Sequence, residues 1–141
     1  ENAVGVSVLA GTNSAIKATI KHIDEGNYKR VKTQLIQMSV PSHCSLLESA
    51  QIKLGKLLNE VEFNSPTIPL IPNVFAQPTS DTDEIKEALL KQLCSTVRWR
   101  ETLEYLLKNN IKEIYDSGPE KTIISMARKL KDIEKISLIE I

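Results

Sequence analysis

Met38-Ser39-Val40-Pro41-Ser42-His43-Cys44-Ser45-Leu46-Leu47 divides the chain into two kinds of pattern. A β-type run ends at Pro41, whose ring brings no N–H to a ladder and so stops a strand. A histidine stands at the strand exit, and a helical pattern opens just after it. Residues before Pro41 read as one small α+β unit. Residues after it read as alternating strand and helix.

Working back from Pro41, Val31, Thr33 and Leu35 alternate among polar residues, which predicts a strand over 29–39. Glu25-Gly26-Asn27 breaks the chain before it. A helix precedes the break, capped by Thr12 or Asn13, with Ala15, Ile16, Ile20 and Ile23 at helical spacing. Before that, 3–11 is valine-rich, alternates with small residues and ends at Gly11, which predicts a first strand. Strand, helix and strand together make at most half of a ferredoxin-like unit.

Working forward, Ser45 is the expected N-cap of a helix through about Val61, with Leu46, Leu47, Ala50, Leu54, Leu57 and Leu58 on one broad face for the core. Asn64-Ser65-Pro66 turns. Residues 67–74 read as a short or edge strand because of Pro69 and Pro72. Asp81 and Glu84 have capping-box spacing and open a helix through Leu93. A further helix is expected over 100–108, stopped by Asn109-Asn110, then a strand over 111–115. Asp116-Ser117-Gly118-Pro119 turns, Pro119 suits the first position of a helix running to about Lys131, and 136–141 is a last strand. This alternation predicts an α/β arrangement with a largely parallel sheet.

At 141 residues the chain is long enough for one domain with a real core. Eighteen basic residues balance eighteen acidic ones, which argues against a nucleic-acid or acidic-membrane surface. No apolar run approaches the length of a membrane span, and the first residues lack the basic flank of a secretory signal, so a cytoplasmic location is expected. Cys44 and Cys94 lie far apart and form neither a disulfide framework nor a zinc spacing.

Of the two histidines, His22 sits beside Lys21 within the first helical pattern and reads as a solvated residue. His43 is the one candidate base, although a lone histidine at a strand exit is more often a satisfied or surface residue. A histidine base needs a nucleophile in reach and a second group to hold its other nitrogen. In extended chain Ser42 and Cys44 would point away from His43. Cys94 is conceivable as a nucleophile but reads better as a small buried residue. The 141 residues contain no G-x-S-x-G elbow, P-loop or G-x-G-x-x-G. The residues alone thus offer a base without a nucleophile.

Val40-Pro41-Ser42-His43-Cys44-Ser45-Leu46-Leu47 resembles the histidine motif of malonyl-CoA:acyl carrier protein transacylases and of polyketide acyltransferase domains. Further matches follow in family order. Residues 2–11 are similar to the family's Asn-Ser-Pro-Gly-Gln-x-Val-Ile-Ala-Gly. Phe63 to Pro69, followed by Pro72-Asn73-Val74, resembles Phe-x-x-Pro-x-x-Pro…Asn-Asn-Val. Gln92-Leu93 with Val97-Arg98-Trp99 resembles Gln-Leu…Val-x-Trp, and Asp116 to Lys121 resembles Glu-x-Gly-Pro-Gly-Lys. Pro72, Glu120 and Ala3-Val4 depart from the family pattern.

The resemblance implies the C-terminal portion of a serine acyltransferase: residues 1–39 as half of an inserted ferredoxin-like subdomain, and 40–141 as the C-terminal part of an α/β-hydrolase-like core. It implies ping-pong transfer of a malonyl group from coenzyme A to the phosphopantetheine thiol of acyl carrier protein, in fatty-acid synthesis. The serine would lie upstream, His43 would be the base, the main-chain oxygen of Gln92 would orient the imidazole, and Asn2 would lie near the acyl pocket. Malonyl-CoA and acyl carrier protein are the expected partners, with no resident cofactor or metal, and a monomer is expected. Lys17, Lys21, Lys29, Arg30 and Lys32 form a local basic cluster, which reads either as a solvated charged face or as a surface that steers an acidic carrier protein. A polyketide-type acyltransferase and a non-catalytic carrier-docking fragment are the alternatives.

Overall fold

The computed structural model describes residues 3, 5–26, 28, 30–118 and 122–141. Its helices are α1 (Asn13–Glu25), α2 (Glu48–Asn59), α3 (Thr82–Lys91), α4 (Trp99–Lys108) and α5 (Thr122–Ala127). Two strands, β1 (Glu113–Asp116) and β2 (Ser137–Glu140), pair in parallel, with Ile114 opposite Leu138 and Tyr115 opposite Ile139. The chain between them passes through α5 and a 3-10 turn at Ile133–Lys135, the long crossover that a parallel pair requires. The result is a mixed helix and strand architecture with the expected parallel pairing.

The core lies under this crossover. Leu103 of α4, Ala127 of α5, Leu130, Ile133 and Ile136 are buried together, and Trp99, Leu106, Leu107, Ile114 and Leu138 pack against them. Leu103, Leu106 and Leu107 fall on one face of α4 at the i, i+3, i+4 spacing of an amphipathic helix. Asn110 closes α4 in the left-handed region (φ 57°), its N–H on the Leu107 carbonyl and the Ile111 N–H on the Leu106 carbonyl. That is the Schellman arrangement, with asparagine in the position that glycine usually takes. The Asn109-Asn110 stop expected from sequence is therefore made by Asn110.

Caps decide the other helix starts. Thr12 accepts from the Ala15 N–H to open α1. Asp81 Oδ1 accepts from the N–H groups of Asp83 and Glu84 to open α3, but the capping box is only half made. The Asp81 N–H goes to Thr79 Oγ1 rather than to Glu84. Ser45 is not the N-cap that its sequence context suggests. It begins a 3-10 turn, Ser45–Leu47, and α2 follows with no side-chain cap. The tighter turn supplies the first hydrogen bonds, with the Leu47 N–H on the Cys44 carbonyl.

Several boundaries move. The strand expected over 3–11 reduces to a single antiparallel bridge, Ala3 with Val6, turned by Gly5 at φ 71°. The strand expected over 29–39 is absent among the described residues; 31–40 are irregular and exposed. Both stretches have the alternation of a strand, but no described strand offers them a partner, and a lone strand leaves its backbone groups unpaired. Residues 67–74 likewise give one bridge, Leu70 with Thr79. The helix expected to reach Lys131 ends at Ala127, where the Lys129 and Leu130 N–H groups bond three residues back in tight turns. The expected helix start at Pro119 lies outside the described residues.

Candidate active site

His43 is held by the chain on both sides of it. The Ser42 N–H bonds the Val40 carbonyl, and the Cys44 thiol turns back onto the Pro41 carbonyl at 3.2 Å. His43 itself has φ 62°, left-handed rather than extended backbone. The extended reading of this stretch is thereby corrected, and with it the inference that Ser42 and Cys44 simply alternate away from the ring. A non-glycine residue in this region is uncommon and is kept there by its surroundings. Here two hydrogen bonds do so: the backbone N–H of His43 donates to the Leu93 carbonyl at 3.0 Å, and the imidazole Nδ1 lies 2.8 Å from the Gln92 carbonyl.

That second contact determines the tautomer. A carbonyl oxygen can only accept, so Nδ1 carries a proton, and in the neutral ring Nε2 is the nitrogen that keeps its lone pair. The residue is exposed, so Nε2 can reach a group brought from outside the chain. Gln92 contributes through its main chain: it is the C-cap of α3, its N–H is spent on the Ala88 carbonyl, and its own carbonyl is one of the acceptors that a helix end leaves open. The Leu93 carbonyl follows it. Both lie at the C-terminal end of α3. The imidazole thus has, in place of a carboxylate partner, a backbone carbonyl and the end of a helix.

The remaining sequence candidates fall elsewhere. Asn2 lies outside the described residues. His22 is exposed on α1, its ring 6.1 Å from that of Tyr28. Cys94 is half-buried, not fully buried. Burial raises its thiol above the ordinary range, with the Glu48 carboxylate and Cys44 adding to the effect. A thiol held protonated is a poor nucleophile. Among the described residues no group of three or more His, Cys, Asp or Glu side chains could hold a metal, and no helix is long and apolar enough to cross a membrane. A shallow cleft of about 340 Å³ lies against α3 beside Phe75, Thr79, Glu84 and Lys91, and His43 does not line it.

Arg98 organises the neighbouring loop. The Arg98 guanidinium donates to the carbonyls of Val74 and Phe75, its backbone N–H donates to the Asn73 carbonyl, and its Nε and Nη2 pair with the Glu101 carboxylate. The pairing holds the guanidinium proton more tightly and pulls the Glu101 carboxyl below its usual range. The i, i+3 spacing of Arg98 and Glu101 was the available signal. Phe75 of the same loop lies under the Lys91 ammonium, 5.5 Å from its ring centre, so the loop abuts the residue before Gln92.

Comparison with known proteins finds malonyl CoA-acyl carrier protein transacylases. The chain is 31% identical over 131 residues to the malonyl CoA-acyl carrier protein transacylase of Escherichia coli, covering 93% of this chain and 42% of that protein. It is 32% identical over 138 residues to the protein of the same name from Haemophilus influenzae, covering 97% and 44%. Among solved structures, an acyl carrier protein S-malonyltransferase from Vibrio cholerae superposes with a TM-score of 0.83 at 31% identity, over 93% of this chain and 42% of that one. A type II polyketide acyl carrier protein in complex with its malonyl-transacylase matches with the same score at 27% identity, over 93% and 41%. The chain spans about two-fifths of the length of these curated relatives. No protein-family model matches the sequence.

Proposed function

This chain belongs to the family of malonyl CoA-acyl carrier protein transacylases, and from that premise we propose that it carries the histidine half of a serine acyltransferase site. The observation that carries the reading is the 2.8 Å contact of His43 Nδ1 with the Gln92 carbonyl, which leaves Nε2 free to take a proton. The nucleophilic serine comes from a part of the protein outside these 141 residues, since none of them forms a G-x-S-x-G elbow.

In this reading the reaction is ping-pong. His43 Nε2 removes the serine proton as the serine oxygen attacks the malonyl thioester carbonyl. The tetrahedral intermediate collapses, and the departing coenzyme A sulfur takes the proton back from the imidazolium. The phosphopantetheine thiol of acyl carrier protein then gives its proton to Nε2 and attacks the acyl-serine ester. The serine oxygen leaves and recovers the proton. Nδ1 stays on the Gln92 carbonyl throughout, so the ring need not reorient between the two half-reactions. No resident cofactor is required.

Residues 40–141 are then the C-terminal part of an α/β-hydrolase-like core and residues 1–39 part of a ferredoxin-like subdomain, of which α1 is the helix among the described residues, a division supported by the change of character at Pro41. The carrier protein approaches over the exposed cations Lys17, Lys21, Arg30 and Lys32; Lys29 lies outside the described residues. The polyketide-type alternative has its support in the carrier complex among the structural neighbours. Assaying transfer to fatty-acid and polyketide carriers separates the two. The test of the shared mechanism is His43→Ala in the full-length enzyme, which should lower transfer by several orders of magnitude. Near-normal turnover would remove His43 as the base.

A further inference from the structure

A histidine held by a carbonyl differs from one held by a carboxylate in one mechanical respect. A carboxylate sits on rotatable bonds and can follow the ring. A backbone carbonyl cannot, so its distance from the imidazole is set by how two pieces of backbone are docked. Here the pieces are the loop that carries His43, which runs through the Ser45–Leu47 turn into α2, and the end of α3, which carries Gln92 and Leu93.

We propose that Gln51 is a positioning residue for His43: its side-chain amide, bonded to the Leu90 carbonyl, docks α2 on the last turn of α3 and thereby sets the imidazole-to-carbonyl distance. The Gln51 Nε2 donates to the Leu90 carbonyl at 2.9 Å in a half-buried position. Leu90 lies in the last turn of α3, beside the two carbonyls that His43 uses. One turn further along α2, Gly55 faces the same residue: a Cβ there would stand 3.4 Å from Leu90 Cδ2, an ordinary van der Waals distance. The directed contact on Leu90 is therefore the Gln51 hydrogen bond. It acts on the element that presents the acceptor, and it comes from the helix that follows the ring. A shift of about 1 Å in such a docking is enough to cost up to a hundredfold in rate.

The inference rests on His43 being the base, and its test includes a readout that does not. In the full-length chain, Gln51→Met keeps the length of the side chain and removes the donor. Gln51→Glu keeps the shape but, when ionised, points an acceptor at a carbonyl and at the negative end of α3. Imidazole ¹⁵N shifts of His43 report the share of ring protonated at Nδ1, and steady-state transfer reports kcat and KM. Gln51→Met should lower that share and lower kcat roughly tenfold, the scale of one lost hydrogen bond, with little change in KM for malonyl-CoA. Gln51→Glu should be worse at neutral pH, and its rate relative to the parent should rise as acid protonates the new carboxyl. Simple packing between helices predicts neither the tautomer change nor this pH-dependent ratio. A Gln51→Met protein with the parent tautomer and kcat would overturn the proposal, whatever Gln51→Glu does. A shifted tautomer in a protein whose His43→Ala form still turns over would uphold the positioning role of Gln51 and defeat the base assignment instead.

Discussion

Residues 99–141 put Leu103, Ile124, Ala127 and Ile136 at 4% exposure or less. Residues 5–40 leave Val8, Leu9, Val31, Leu35, Ile36 and Met38 about half exposed or more, and α1 has no buried residue. The two regions differ little in hydrophobic patterning. α1 repeats its isoleucines as regularly as α4 repeats its leucines, and 31–35 alternates like a strand. What separates them is a surface to close against. α4 faces a crossover that returns across it, whereas the apolar faces of 5–40 meet no packed layer among the described residues. A periodic pattern names the element a segment can form; burial, and the stability that comes with it, belongs to the pair of surfaces.

The sharpest way to break this comparison is a truncation in each region. Leu103→Ala removes a side chain that is 1% exposed at the centre of the cluster and should destabilise by about 2–5 kcal/mol in denaturant unfolding. Leu35→Ala removes a side chain that is 66% exposed and should stay within about 0.5 kcal/mol. Comparable losses at the two positions would mean that residues 5–40 pack in solution against something in the same chain, and the contrast would collapse.

The same contrast governs what could be read in advance. α4 and the parallel pairing of β1 with β2 were legible because their signals are local: a leucine stripe, an asparagine stop, and short apolar runs separated by a helix. The fate of the alternating stretches 3–11 and 29–39 is not legible in this way, because alternation says nothing about whether a partner strand is present. His43 was legible through its motif, and the main-chain role expected of Gln92 came only from the family resemblance. The left-handed turn at His43 was not legible, since it is imposed by carbonyls some fifty positions away in sequence. The contacts of Gln51 and Arg98 are illegible in the sequence for a related reason. Each donates to backbone oxygens, and those carry no residue identity for a sequence pattern to display.

Helix caps give a gentler version of the test. Asp81→Ala removes the acceptor for two N–H groups at the start of α3, a helix with Ile85 and Ala88 buried. A loss of about 1 kcal/mol in global unfolding is expected. Thr12→Ala removes a similar cap from α1. Because α1 buries nothing, that change should lower helix content in circular dichroism and speed amide exchange within α1 while leaving the global transition where it was. A global shift as large as that of Asp81→Ala would tie α1 to the cooperative unit.

The smallest effect comes from the charges. α1 carries the Lys21–Glu25 pair at 3.7 Å with both ends in water, whereas Glu101 on α4 is bonded by Arg98, which also holds the carbonyls of Val74 and Phe75. The Arg98 hydrogen bond lowers the Glu101 carboxyl in the folded chain. Its contribution to stability is therefore complete above the ordinary glutamate range and is lost as pH falls through the lowered folded value. Acid should loosen the 73–75 loop from α4, seen as faster exchange of the Arg98 amide, whose N–H is on the Asn73 carbonyl. Glu101→Gln keeps a hydrogen-bond acceptor but cannot titrate, so its exchange should lack this acid-dependent component. Persistence of the component in Glu101→Gln would assign it to another carboxylate. Because the pair is about half exposed, added salt should weaken the effect, whereas the burial of Leu103 should not respond to salt in that way.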